Sequence, residues 1–106
     1  MAAAAHSREA VRMAHAALIE VDNTDEDPDA GRRGLAEELL PVLRSMPGFD
    51  DALLLTDYGR GRGVAIVVFD SVAQAAALAA GVAVGQVLRP GVVVTSAEVL
   101  EVTARG

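Results

Sequence analysis

Hydrophobic residues along the chain switch between a strand-like and a helix-like spacing, and the switches mark the predicted elements. The segment 14–22 alternates with a period of two around Ile19 and Val21, which predicts a first strand. Across 28–46 the large apolar residues recur at spacings of three and four, which predicts an amphipathic helix. Pro41 falls inside this helix, and we expect it to bend the helix or divide it in two, because proline has no N–H to donate.

Two further strands follow this helix. They are predicted over 52–58 and 64–70, and the glycine-rich stretch 59–63 joins them as a hairpin. The second of these strands has no polar residue between Val64 and Phe69. A strand without polar alternation is typical of one that is buried on both faces.

The last part of the chain predicts a helix followed by a strand. Ser71 and Gln74 have the spacing of a capping box, which places a helix start at this point. We expect the helix to run to about residue 86, because its residues are almost all Ala, Leu and Val, and the strand to span 92–102.

This order of elements predicts the fold class. Strand, helix, strand, strand, helix, strand is the split β-α-β pattern of an α+β ferredoxin-like β-α-β-β-α-β sandwich. We expect one domain over 13–106, preceded by an N-terminal tail over 1–12. In such a sandwich the helices cover one sheet face, so the apolar strand 64–70 needs a cover for the other face. A second copy of the chain supplies one, which predicts a homodimer.

Composition and charge narrow the choice of partners. The net charge of −6 at pH 7 repels phosphate backbones, so the sequence predicts no nucleic-acid partner and no anionic membrane surface. The chain has no cysteine, which excludes disulfides and thiolate metal sites, and no lysine, which excludes Schiff-base chemistry. The acidic loop 22–29 lacks the glycine and glutamate spacing of a calcium-binding EF-hand, so no metal site is predicted. We expect a solvated loop instead, in which Asp27 caps the helix that begins at Pro28. We expect a cytoplasmic protein.

Two segments resemble those of a known family. In 39–49 a helix runs into Pro-Gly-Phe and then a strand, and in 67–75 a strand runs through Asp-Ser into a helix. Both junctions are similar to those of the dimeric α/β-barrel superfamily, especially its antibiotic biosynthesis monooxygenase-like members. The resemblance implies a homodimer in which two open sheet faces pack into a barrel, and a ligand cavity between helix and sheet.

The resemblance leaves two functions open. One is a small-molecule enzyme, a cofactor-free monooxygenase that acts on a phenolic or quinol-like compound. The other is a non-catalytic dimeric module for small-molecule binding or interaction. Neither function requires a cofactor.

A few residues could carry such chemistry. His15 could act as a general base near neutral pH, although a strand histidine is more often a packing residue. Tyr58 could hydrogen-bond a substrate hydroxyl, with Asp57 orienting it. Phe69 stands where members of the resembled family place an aromatic wall, and Arg89 could anchor an anionic group or cap the second helix. The predicted site therefore has His15 and Tyr58 as catalytic residues and Asp57, Phe69 and Arg89 as substrate-binding residues.

Overall fold

The computed structural model describes residues 14–106; the predicted tail 1–12 lies outside this range. Its strands and helices largely follow the predicted order, with differences at their ends. The strands are β1 (His15–Asp22), β2 (Phe49–Asp57), β3 (Arg62–Phe69), β4 (Val87–Arg89) and β5 (Val92–Glu101). The helices are α1 (Pro28–Gly34), a π-helical turn (Leu35–Leu39), α2 (Leu40–Arg44) and α3 (Val72–Ala80).

The strands form one five-stranded antiparallel sheet in the order β2-β3-β1-β5-β4. β1 lies in the middle and pairs with both β3 and β5, so the first and last long strands of the chain are neighbours. This is the strand order of a ferredoxin-like fold with one short strand added at an edge. The α+β ferredoxin-like prediction is therefore confirmed for the single chain.

The first helical segment consists of α1, the π-helical turn and α2 in direct succession. Asp27 caps its start, because its side chain accepts a hydrogen bond of 2.9 Å from the Ala30 N–H. The Leu40 N–H bonds to the Leu35 carbonyl five residues back, which widens the helix just before Pro41. The sequence predicted a disturbance at Pro41, and the structure accommodates it as this π-helical turn.

The second half of the chain departs from the sequence prediction in two places. Helix α3 ends at Ala80 instead of near residue 86, and the short strand β4 follows it. Gly85 lies between them with a φ of +88°, a left-handed conformation that glycine adopts without strain. Ser71 is the N-cap of α3 but makes no side-chain capping bond, so the predicted capping box is not formed.

The two faces of the sheet differ in what covers them. Leu43, Val67, Phe69 and Ala75 form the buried core between the helices and the sheet. Since side chains alternate along a strand, the sheet residues in register with Val67 and Phe69 form the helix face, and those in register with Ile66 form the open face. Within residues 14–106, no helix packs on the open face.

Candidate functional site

A cavity of ≈ 410 Å³ lies on the helix face, between the first helical segment and the sheet. Its lining is mostly aliphatic, with Leu35 and Leu39 from the π-helical turn on one side. Ile19, Leu54 and Ala65 line the opposite side from three neighbouring strands. The interior therefore offers an apolar environment, and its polar groups are gathered near the loop that follows β1.

Asn23 is the buried polar residue at this end of the cavity. It is only 2% exposed, although it follows directly after β1. Its N–H donates to the Gly61 carbonyl over 3.0 Å, and its own carbonyl accepts from the Glu26 N–H over 3.0 Å. Its side-chain Oδ1, in contrast, has no hydrogen-bond partner among the described residues. A buried unsatisfied amide oxygen is costly, so this atom can accept a hydrogen bond from a donor within the cavity.

An ion pair stands beside Asn23. Arg89 donates from Nε to the Glu26 carboxylate over 2.6 Å, and the Glu26 side chain is only 7% exposed. A Cβ built on Gly31 would lie 2.6 Å from the Tyr58 hydroxyl and 2.7 Å from Glu26 Oε1, so the ends of both side chains lie against this glycine. Tyr58 therefore inserts its hydroxyl beneath α1, close to the ion pair, and this hydroxyl is buried with no hydrogen-bond partner within residues 14–106.

The structure brings together only some of the residues predicted as a site. Tyr58 and Arg89 converge on Glu26 at one end of the sheet. His15 pairs with Phe69 in the strand register at the opposite end. Eight residues of β1 separate the two ends by roughly 23 Å, so His15 and Tyr58 do not share one site within a chain.

The remaining predicted residues occupy other positions than expected. Asp57 accepts a 3.1 Å hydrogen bond from the Arg60 N–H and so caps the hairpin turn instead of orienting Tyr58. Arg89 ends β4 and pairs with Glu26, whereas the sequence placed it at the end of the second helix. Phe69 is buried at 1% exposure in the core. Functional roles for all five residues stay predictions.

Sequence reasoning missed Asn23 and Glu26. Both lie in the acidic loop 22–29, which was interpreted as a solvated segment that caps the following helix. Asp27 does cap that helix, but the loop also folds inward between the β2–β3 hairpin and the turn at Gly91. The one available signal was the asparagine directly after a strand, since polar residues at strand ends often line sites.

The open face carries a patch of aliphatic side chains from β2, β3 and β1. Cross-strand pairing aligns Leu53 with Ile66 and Leu18, and the neighbouring row aligns Leu55 with Val64. Leu53 is 56% exposed and Leu55 is 49% exposed. The aliphatic residues of this face are Leu18, Leu53, Leu55, Val64, Ile66, Val68 and Leu100.

Charged residues also lie on this face: Glu98 pairs with Leu18, Asp51 pairs with Val68, and an ion pair lies toward the hairpin end. Arg62 donates from both Nε, over 3.2 Å, and Nη2 to the Glu20 carboxylate, and the Ser96 hydroxyl donates to the same carboxylate over 3.1 Å. The hydrogen bonds from Arg62 and Ser96 lower the pKa of Glu20 below its ordinary value of 4.5. The pair is therefore ionised at neutral pH.

Residues 14–106 provide neither a metal-binding cluster nor a membrane-spanning helix. Among them no cluster of three or more His, Cys, Asp or Glu side chains could hold a metal ion. No helix in this range is both long and apolar enough to cross a membrane.

The chain was compared with known proteins. No protein-family model matches it, and no curated protein matches it. Among solved structures, the MEC-8 C-terminal RRM domain bound to AGCACA matches with a TM-score of 0.44 and 16% sequence identity. The match covers 87% of this chain and 95% of the RRM domain. At this degree of likeness, no role of a residue in that domain is assigned to a residue of this chain.

This comparison corrects two predictions. The match is to a domain bound to AGCACA, so it does not bear out the prediction of a small-molecule enzyme, or of a small-molecule binding or interaction module in its place, and that prediction is withdrawn. The prediction of no nucleic-acid partner is withdrawn with it. It was drawn from the net charge of the whole chain, and a net charge does not describe any single face of the fold.

Proposed function

We propose that this domain functions as one half of a homodimer, in which the open faces of two copies pack together as a dimeric α/β barrel. The observation that carries the proposal is the open face itself. Leu53, Leu55 and Leu100 are each about half exposed there, although they lie on long, well-paired strands. Large contiguous apolar surfaces of this kind are typical of protein interfaces.

The size of the face supports a stable pair. Strands lie about 4.8 Å apart and rise about 3.3 Å per residue, so four strands of some eight residues cover roughly 500 Å². Two such faces together bury on the order of 1,000 Å², which meets the lower limit for a specific protein interface. The area favours a partner that covers the whole face over one that touches only an edge.

The chemistry of the face supports a second copy as this partner. A two-fold dimer places the same surface on both sides, so apolar rows such as Leu53–Ile66–Leu18 meet equally apolar rows. Burial of this surface would also account for β3, whose residues between Val64 and Phe69 are apolar on both faces. The resemblance of two chain segments to the dimeric α/β-barrel superfamily supports the same arrangement.

Light scattering coupled to size-exclusion chromatography tests the proposal on the full chain. We expect a dimer for the wild type and a folded monomer for Ile66→Asp, because a charge in the centre of the open face blocks packing of two copies. Val84→Asp is the matched control, since Val84 is 70% exposed and lies outside the sheet. A wild-type monomer, or a dimer that Ile66→Asp leaves intact, would overturn the proposal.

A single-stranded nucleic acid is the alternative occupant of the open face. Fluorescence anisotropy with a labelled AGCACA oligonucleotide distinguishes it from a second copy. We expect no binding by the wild-type dimer through this face. Binding that Ile66→Asp abolishes and Val84→Asp preserves, on a wild-type monomer, would assign the open face to nucleic acid instead.

A further inference from the structure

The open face combines aliphatic side chains with an excess of acidic ones. Five carboxylates lie on this side of the strands: Glu20, Asp22, Asp51, Asp57 and Glu98. Arg62 is the only cation that the five described strands place on this face, and it is bonded to Glu20. The face therefore offers apolar contact area together with carboxylates that a basic partner can bind.

The carboxylates are spread over the aliphatic patch. Glu98 lies in the row of Leu18 and Ile66, and Asp51 lies in the row of Val68. The Asp51 side chain is 64% exposed, and Glu98 is also exposed and forms no ion pair within residues 14–106. Two copies placed face to face bring like charges together in any orientation, which weakens their association without removing the apolar contact.

Residues 1–13 have a composition that complements this face. They contain Arg8 and Arg12 against a single acid, Glu9, although the chain as a whole carries a net charge of −6. Most of the other residues in this segment are Ala, Val or Met, which provide apolar contact area. The segment therefore matches the open face both in charge and in apolar surface.

The segment also starts from a suitable place. It joins the sheet at Ala14, directly before β1, and the Ala14 carbonyl accepts a 2.9 Å hydrogen bond from the Val102 N–H. β1 lies in the middle of the sheet, between β3 and β5. Thirteen extended residues span up to roughly 43 Å, whereas β1 spans roughly 23 Å, so the segment can cross the whole open face.

We propose that residues 1–13 bind the open face of their own chain, with Arg8 and Arg12 against its carboxylates, and compete there with the second copy. The binding itself does not require the dimer, whereas the competition rests on the proposed dimer. A tethered segment acts at a millimolar effective concentration, so weak contacts suffice to occupy the face. If the segment covers the face half of the time, both copies must release it, and the apparent Kd of the dimer rises about fourfold.

Paramagnetic broadening of NMR signals tests the binding on the full chain. Because the chain contains no cysteine, Ser7→Cys carries a single nitroxide label. At concentrations where the chain is monomeric, we expect the label to broaden the amide signals of the sheet more than those of α3, which packs on the other face. A mixture of labelled chain and unlabelled ¹⁵N-enriched chain should show no broadening, since the contact lies within one chain. Equal broadening of sheet and helices, or broadening that Arg8→Glu/Arg12→Glu leaves intact, would overturn the binding.

Sedimentation equilibrium tests the competition. Arg8→Glu/Arg12→Glu should lower the Kd of the dimer about fourfold, because the segment no longer covers the face. Arg33→Glu/Arg44→Glu is the matched control, since it changes the net charge equally at two exposed residues of the first helical segment, and it should not lower the Kd. An unchanged or raised Kd for Arg8→Glu/Arg12→Glu would overturn the competition. If the wild type and both variants stay monomeric, the proposed dimer is overturned, and broadening confined to the sheet would still support the binding.

Discussion

The two faces of this sheet are built from the same strands but differ in how far the chain covers them. On β3, Val67 and Phe69 are each 1% exposed beneath the helices. The alternate residues Ile66 and Val68 are half-buried on the open face. On β2, Leu54 contributes to the core and its neighbour Leu53 is 56% exposed. The difference shows that apolar side chains alone do not bury a face, because a cover must also be available.

The two Glu–Arg ion pairs also differ in their exposure to water. Glu26 and Arg89 join a loop to β4 with the carboxylate almost fully enclosed. Their neighbours Asn23 and Tyr58 each hold a buried polar atom that finds no partner in the described part of the chain. Glu20 and Arg62 lie on the open face in contact with water. The ion pair on the helix side is thus largely covered within one chain, and the pair on the open face is not.

Substituting aspartate at neighbouring positions of β3 gives the largest expected effect. Val67→Asp buries an unpaired charge in the core and should cost roughly 5 kcal/mol or more, which is enough to unfold a small domain. Val68→Asp points to the open face, so it should leave a folded monomer. Circular dichroism melts and light scattering measure both outcomes. If Val68→Asp unfolds the chain as Val67→Asp does, the assignment of the two faces is wrong.

Truncating one leucine on each face of the sheet compares the two faces with a smaller expected loss of stability. Leu43 is 3% exposed beneath the helices, and Leu43→Ala should destabilise the fold by about 2–4 kcal/mol through lost burial and a cavity. Leu53→Ala should cost under about 1 kcal/mol at protein concentrations where the chain is monomeric. Urea denaturation at two protein concentrations measures both. A concentration-dependent loss for Leu53→Ala is expected only if the open face is an interface.

Removing the arginine from each ion pair compares the two polar clusters. Arg89→Ala leaves the Glu26 carboxylate enclosed without its partner, and we expect a loss of about 3 kcal/mol. Arg62→Ala leaves Glu20 accessible to water, so the stability of the monomer should fall by much less than for Arg89→Ala. Denaturation curves of the two variants give the difference. Equal losses would mean that the two carboxylates are equally solvated, contrary to the structure.

The smallest expected effect is a change in how the stability of the fold depends on pH. The Arg62 bond lowers the pKa of Glu20 in the folded state, so the unfolded chain binds a proton more readily. This contribution to stability is therefore present above the ordinary value of 4.5 and is lost as pH falls below it. Glu20→Gln should flatten the decline of the melting temperature as the pH falls below the ordinary pKa of 4.5. An unchanged slope would show that the pair contributes nothing to the folded state.

Local sequence signals determined much of the fold. The period-two and period-three-to-four patterns predicted the order of the long strands and helices, and Asp27 before Pro28 marked the start of the first helix. These signals work because a cap, a proline or an amphipathic stripe acts over a few neighbouring residues. The sequence patterns did not predict the short strand β4, because its few residues gain their strand geometry from pairing with β5.

The candidate sites were decided by tertiary structure. Asn23, Glu26 and Arg89 come together from a loop and a distant strand, and the 63-residue separation of the ion pair leaves no local pattern. His15 and Tyr58 each carry suitable chemistry, yet the strand register places them at opposite ends of the sheet. Sequence alone indicated that β3 is apolar on both sides. Only the packing of the helices decided which side the chain covers itself and which side it leaves open.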